Sequence, residues 1–192
     1  MEKNPHHLVM GELTDFLTGK TLTDTHDERY RQKLARHLVE NLGYARDEVI
    51  KDHTLTVNAG SQMATLKIDF LVQLKNKTCM AVKYAPGSLV TRRLSNLAFS
   101  RIIQSYQIPV MITTNGEDAE VINGCTGKVI GNGLSDIPKR ESLLSLTAES
   151  FPLISKELFD KASRIAYACE VNGACPCDTD ICVLEQSTGV SK

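Results

Sequence analysis

The sequence predicts an α/β protein: a central mixed sheet flanked by helices, followed by a C-terminal helical and cysteine-rich extension. Three observations carry this expectation. Tyr30, Leu34, Leu38 and Leu42 repeat at four-residue steps, the stripe of an amphipathic helix. Three alternating runs follow closely, as in a meander with one buried face. A second helical pattern then leads into the short apolar run Val110-Met111-Ile112, bounded by Pro109 and by Asn115-Gly116, as for a buried strand.

The elements follow in order. Leu8, Val9, Leu13, Phe16 and Leu17 are scattered apolar positions, expected to form one short helix packed on the domain. Thr25 precedes Glu28 by three residues, the capping-box spacing, so a helix is placed at about 26–42. Gly43 closes it, being the residue best able to turn left-handed. Strands are expected at Thr54–Val57, Leu66–Leu74 and Cys79–Tyr84, with Lys75-Asn76-Lys77 as the turn between the last two. Pro86 and Gly87 break the chain, and Leu94, Leu97, Ala98, Ile102 and Tyr106 predict a helix over 91–106. Strands at 109–114 and 119–123 come next. Gly131, Gly133 and Pro138 suggest a loop over 128–140, before helices at about 141–149 and 152–168. The chain thus divides into an N-terminal extension (1–24), a core (25–140), and C-terminal helices with a cysteine-rich tail (141–192).

Composition narrows the function. Among 192 residues, 22 Lys+Arg face 23 Asp+Glu, a formal charge of -1. No global positive field advertises nucleic acid or a membrane surface, so any basic site must be local. Met1–His7 lacks a basic start followed by an apolar segment, and no apolar run approaches the roughly 18 residues a membrane helix needs. A soluble, cytoplasmic protein with no membrane association is expected.

The meander offers the first candidate site. With the turn centred on Asn76, paired residue numbers sum to a constant that sets Asp69 opposite Lys83 and Leu71 opposite Ala81. Directly opposed side chains share a face, so Asp69 and Lys83 would meet. A two-residue turn would shift the pairing by one and separate them. An aspartate there can hold a divalent metal that polarises a phosphodiester, and a lysine can orient water and neutralise developing charge. The ordinary alternative is a cross-strand ion pair contributing less than about 1 kcal/mol.

Several segments together resemble the N-terminal domain of type I restriction enzyme R subunits and its stand-alone relatives, within the PD-(D/E)XK nuclease-like superfamily. They are Glu28-Arg29-Tyr30-Arg31-Gln32 through Leu42-Gly43-Tyr44, Lys67-Ile68-Asp69-Phe70, Lys83-Tyr84-Ala85-Pro86-Gly87, and Pro109 through Thr114-Asn115-Gly116-Glu117-Asp118. The resemblance covers about residues 25–140 and implies a restriction-endonuclease-like core. It assigns the metal-binding aspartate to Asp69 (Mg2+ in an active enzyme), the catalytic lysine to Lys83, and a supporting acid to Glu28. Helix capping is the competing role for Glu28. The family pattern has Glu or Asp two residues before the lysine, and this sequence has Ala81. A hard, octahedral cation held by two carboxylates would lose one of them. Either the domain is degenerate and binds DNA or a protein partner, or an acid such as Asp52 or Glu40 substitutes and the domain is a metal-dependent endonuclease. Arg92, Arg93 and Arg101 are the candidate phosphate contacts, against the ordinary reading of a solvated face. The Walker A pattern of a translocating subunit is missing from this sequence, so a stand-alone role or action through a partner is expected.

The second candidate is Cys169, Cys175, Cys177 and Cys182, four thiols in one short stretch. They suffice for one tetrahedral Zn2+ or one iron–sulfur cluster, although the spacing is not the usual pair of CxxC knuckles. Redox-active or disulfide-bonded cysteines, or inert thiols, are the alternatives. A non-nucleolytic metalloprotein using these cysteines is therefore a third functional reading. The histidines show no ligand spacing.

Overall fold

Alternation and turn chemistry build the sheet first, and the helices follow from what its faces leave apolar. The computed structural model describes residues 8–172 and the backbone of residues 182–184. Six strands run in the order β3 (Val49–Ala59), β4 (Gln62–Leu74), β5 (Lys77–Tyr84), β6 (Val110–Thr114), β7 (Ala119–Asn123) and β8 (Val129–Asn132). A short strand, β9 (Cys182–Leu184), pairs with Met63–Thr65 of β4. Among the described strands, only β5 and β6 pair in parallel. A parallel pair needs a crossover, and α2 (Arg93–Phe99) lies on it.

The sheet is buried on both faces. On one, Phe70, Val72, Met80, Val82 and Ile112 pack against Leu34 of α1 (His26–Arg36), Leu38 of the turn that follows it, and Leu143 of α3 (Arg140–Leu146). On the other, Leu71, Ala81, Met111 and Ile122 meet Ala98 and Phe99 of α2 and Ala162, Ala166 and Tyr167 of α4 (Lys156–Glu170). Each of the larger aliphatic or phenyl side chains among these contributes roughly 1.5–3 kcal/mol when taken from water, before the entropy of ordering it.

The β4–β5 register has the expected Leu71–Ala81 pair but reaches it by another route. The turn has two residues, Lys75 and Asn76, both with positive φ, so Leu74 pairs Lys77 and Gln73 pairs Thr78. That turn alone would shift the pairing by one. A β-bulge between Val72 and Gln73 restores it, so Val72 faces Met80, Leu71 faces Ala81 and Phe70 faces Val82. The extra residue cancels the slip that a two-residue turn imposes.

Four sequence expectations are corrected. The N-terminal residues form not a helix but a hairpin, β1 (Gly11–Thr14) with β2 (Thr21–Asp24). Its turn is made by Asp15, whose carboxylate accepts the Leu17 and Thr18 N–H groups, and by Gly19 at φ 72. The helix expected over 26–42 is α-helical only to Arg36. His37–Asn41 form a π-turn, with the Leu42 N–H reaching back to the His37 carbonyl. Gly43 then takes the left-handed conformation expected of it. The helix expected over 91–106 stops at Phe99, because the chain folds back and the Ile108 N–H donates to the Ser100 carbonyl. Ile102 and Tyr106 still bury or anchor their side chains, so helical apolar spacing here serves an irregular segment. The expected loop over 128–140 contains β8, because the turn after Asn123, capped by its own side chain, returns the chain antiparallel onto β7.

Candidate functional site

Asp69 lies where β4 and β5 part. Phe70 and Val82 are the last pair in register between them. Beyond it the Tyr84 N–H donates to Asp69 Oδ2 at 2.7 Å. The other oxygen, Oδ1, accepts from Arg31 Nε of α1 at 2.7 Å. Asp69 is 1% exposed, so this carboxylate is neutralised inside the protein by one guanidinium and one backbone donor. Arg31 also lies over the Tyr84 ring, which stacks on Tyr30 and donates its hydroxyl proton to Asp27. These contacts clamp the first turns of α1 over the end of β5. Burial and the nearby Asp27 carboxylate together push the Tyr84 phenol well above its usual range.

Glu28 illustrates how a capping motif divides its work. Thr25 caps α1 by accepting the Glu28 N–H at 3.1 Å. The Glu28 carboxylate accepts instead from Lys51 Nζ at 2.7 Å and from Gln32 Nε2 at 2.8 Å. Lys51 also donates to Asp15 Oδ2 at 2.6 Å. The Lys51 and Asp15 side chains are 6% and 2% exposed. Burial disfavours ionisation of both, but their mutual hydrogen bond and their further partners prevail. Asp15 is held below its ordinary range and Lys51 above its own. The triad Asp15–Lys51–Glu28 thus ties the N-terminal hairpin, β3 and α1 together beside Asp69.

Continuing the pairing past Phe70 and Val82 sets Lys83 opposite Asp69, as expected, yet no ion pair joins them. Lys83 Nζ donates to the Lys67 carbonyl at 2.8 Å. Ala81 is fully buried against the α2 and α4 face and brings no donor atom. Of the acids considered as substitutes, Glu40 is exposed on the π-turn, twelve residues and therefore roughly 18 Å along the helix from Glu28. Asp52 is better placed. Lys51 pairs Phe70 and His53 pairs Ile68, so Asp52 falls opposite Asp69. Its φ of 57 takes it out of the regular ladder, and its 45% exposed carboxylate meets Lys67 Nζ at 2.9 Å.

A divalent cation bound by two acids does not fit these side chains as arranged. Asp69 has both oxygens engaged, position 81 supplies none, and Glu28 and Asp52 are paired with lysines. Among the described residues, no three His, Cys, Asp or Glu side chains converge as metal ligands.

The candidate phosphate contacts are distributed differently from what their clustering in sequence suggests. Arg93 makes a two-pronged pair with Glu120, and Arg92 lies 3.9 Å from Glu170. Arg101 buries its Nε with no hydrogen-bond partner among the described residues. Cys169 sits half-buried on α4, where burial and the neighbouring Glu170 raise its thiol pKa. Cys175 and Cys177 lie outside the described residues, and of Cys182 only the backbone is described, so the four-thiol expectation falls there.

Sequence reading missed Arg31, Asp15 and the role of Lys51. Arg31 stands three residues after Glu28, so both fall on one flank of α1, and that spacing was the available signal. Asp15 carried no such signal, because its contact depends on a hairpin the apolar pattern did not announce.

The fold and this cluster define a class: a mixed-sheet α/β domain with a buried carboxylate–guanidinium pair where two strands fork. The chain belongs to the type I restriction enzyme R protein N-terminus family, whose match spans residues 26–138, more than half of its length. No curated protein and no solved structure gives a significant match. Among the described residues, no helix is long and apolar enough to cross a membrane.

Proposed function

We propose that this domain is a non-cleaving, DNA-binding relative of a PD-(D/E)XK nuclease, in which an internal salt bridge has replaced the metal site. One observation carries the reading: Asp69, the residue the family pattern assigns to metal, is buried with both oxygens committed to Arg31 and the Tyr84 N–H. Ala81 beside it supports the same conclusion, because a second carboxylate is what a hard cation would need. DNA as the partner rests on the family. Arg92 and Arg101 are the contacts to phosphate favoured here, since Arg93 is already committed to Glu120. The four clustered cysteines are a separate proposal, and metal analysis of anaerobically purified protein decides it.

The test combines cleavage and binding. Incubation with plasmid DNA and Mg2+ or Mn2+ is expected to give no nicking, with the Lys83→Ala protein indistinguishable from wild type in this assay. Binding to duplex DNA is expected to weaken with salt, and Arg92→Ala or Arg101→Ala to lower the salt slope by about one each. Metal-dependent nicking abolished by Lys83→Ala would overturn the non-cleaving reading. The position of Asp52 opposite Asp69 favours one specific alternative, a relocated carboxylate. In that case nicking would also disappear in Asp52→Asn.

A further inference from the structure

The flank of α1 remote from Glu28 faces a cavity of about 210 Å3 that the Asp69 cluster does not use. It is lined by Lys33, Leu34, Arg36, His37 and Asn41 together with Gly116 and Leu134. Helical spacing explains four of the first set, because residues 33, 34, 37 and 41 fall on one side of the helix, and Arg36 reaches the space from its edge. The π-turn at His37–Asn41 widens the backbone at that spot, and such turns occur often at functional sites. The His37 imidazole fixes the far wall by a 3.1 Å hydrogen bond between Nε2 and the Leu134 carbonyl. The opposite wall is the turn at Gly116, whose φ of 91 and close approach to the Tyr30 ring leave no room for a side chain.

Among the described residues, two basic side chains, Lys33 and Arg36, line this space, and no carboxylate does. Among the described residues, neither the Lys33 ammonium nor the Asn41 amide has a hydrogen-bond or ion-pair partner, and the Arg36 guanidinium is engaged only by the Phe16 ring. The nearest acid on the turn, Glu117, accepts from the Tyr30 hydroxyl. Leu34 and Leu134 give the interior an apolar character. We propose that this cavity binds a small organic anion, an apolar ring bearing one phosphate or carboxylate. Its ring would lie between Leu34 and Leu134, its charge would face Lys33 and Arg36, and Asn41 would be available to a polar ring substituent. Sites of this kind combine an apolar body with a few placed polar groups.

Phenyl phosphate, phenol and inorganic phosphate separate the two halves of the claim. In an amide-resolved NMR titration of the full chain, phenyl phosphate is expected to shift His37, Asn41 and Gly116 saturably. Phenol and inorganic phosphate are each expected to bind at least tenfold more weakly. The double variant Lys33→Ala/Arg36→Ala changes two polar side chains of α1 and is expected to keep the spectrum of the folded chain while weakening phenyl phosphate at least tenfold. Asn41→Gln provides a second variant that keeps the amide and displaces it. Equal responses to inorganic phosphate and phenyl phosphate would mean surface charge alone and would overturn the proposal. So would shifts that do not saturate, or undiminished affinity in the double variant. DNA binding and nicking do not enter this readout, so its failure leaves the reading of the Asp69 site untouched.

Discussion

Asp69 and Arg31 exemplify how a buried charge is tolerated. Taking a carboxylate out of water is costly, and here one guanidinium and one backbone N–H together satisfy both oxygens. Removing one partner strands the other, so Arg31→Met is expected to destabilise the fold by about 3 kcal/mol. Asp69→Asn should cost a similar amount. Combined, the two substitutions are expected to cost at least ~1 kcal/mol less than their sum, because neither leaves a lone charge. Urea unfolding of the four proteins in the cycle measures this directly. Strict additivity would mean that the pair is not coupled and that its burial does not matter energetically.

At the level of elements, the β4–β5 hairpin decides whether the site exists. Lys75 and Asn76 both hold positive φ, the conformation of a type I′ turn, in which Asn-Gly is preferred. Lys75 is the poorer of the two residues for this geometry, since a long side chain in the left-handed region costs roughly 1–2 kcal/mol. Lys75→Asn is therefore expected to raise stability by up to ~1 kcal/mol, seen as a higher Tm with the register unchanged. The bulge between Val72 and Gln73 is what keeps that register productive. The turn-side pairing continued without the bulge would set Asp69 opposite Val82 and bring core residues to the wrong face. The π-turn at the end of α1 acts similarly, since one extra backbone unit re-aims His37 and Asn41 at the cavity.

For the whole molecule, charge networks fasten separate parts of the chain and give stability its pH profile. Asp15–Lys51–Glu28 joins the N-terminal hairpin to the sheet and α1, and Glu48–Arg140 joins the start of β3 to α3. Asp15 and Glu48 are held below their ordinary values of 3.8 and 4.5. Their contribution is therefore full above those values and disappears as pH falls through the lowered ones. His53, pushed below 6.5 by burial alone, adds a smaller loss that begins as pH drops past 6.5. Lys51 is held above 10.5, so its contribution is full below 10.5 and is lost as pH rises through the raised value. A stability plateau is expected from about neutrality to about pH 10, with the steepest acid loss below pH 4.5. Thermal melts across about pH 3–11 check it, and a maximum near pH 5 would contradict the lowering of the His53 pKa by its partial burial (a range chosen to bracket these groups).

Local pattern made α1, the three-strand meander, β6, β7 and α4 legible, because alternation and four-residue spacing report which face of an element is dry. It also made Asp69, Lys83 and Ala81 legible as a group, through residue order. What happens to those side chains was decided elsewhere. Arg31 reaches Asp69 across 38 positions in the chain, and Lys51 reaches Asp15 across 36. No periodicity encodes such contacts, since they depend on how α1 and the N-terminal hairpin seat on the sheet. The register shows the same division: the polar turn announced a hairpin, but only the bulge, a tertiary compromise between turn geometry and core packing, set Asp69 and Lys83 in line. The sequence by itself thus determined β3 to β7, the placing of helices around them and the residues of interest, because these follow from local dryness and turn chemistry. Only the tertiary structure decided that the aspartate is met by a guanidinium, because burial makes every charge find whichever partner the packing brings near.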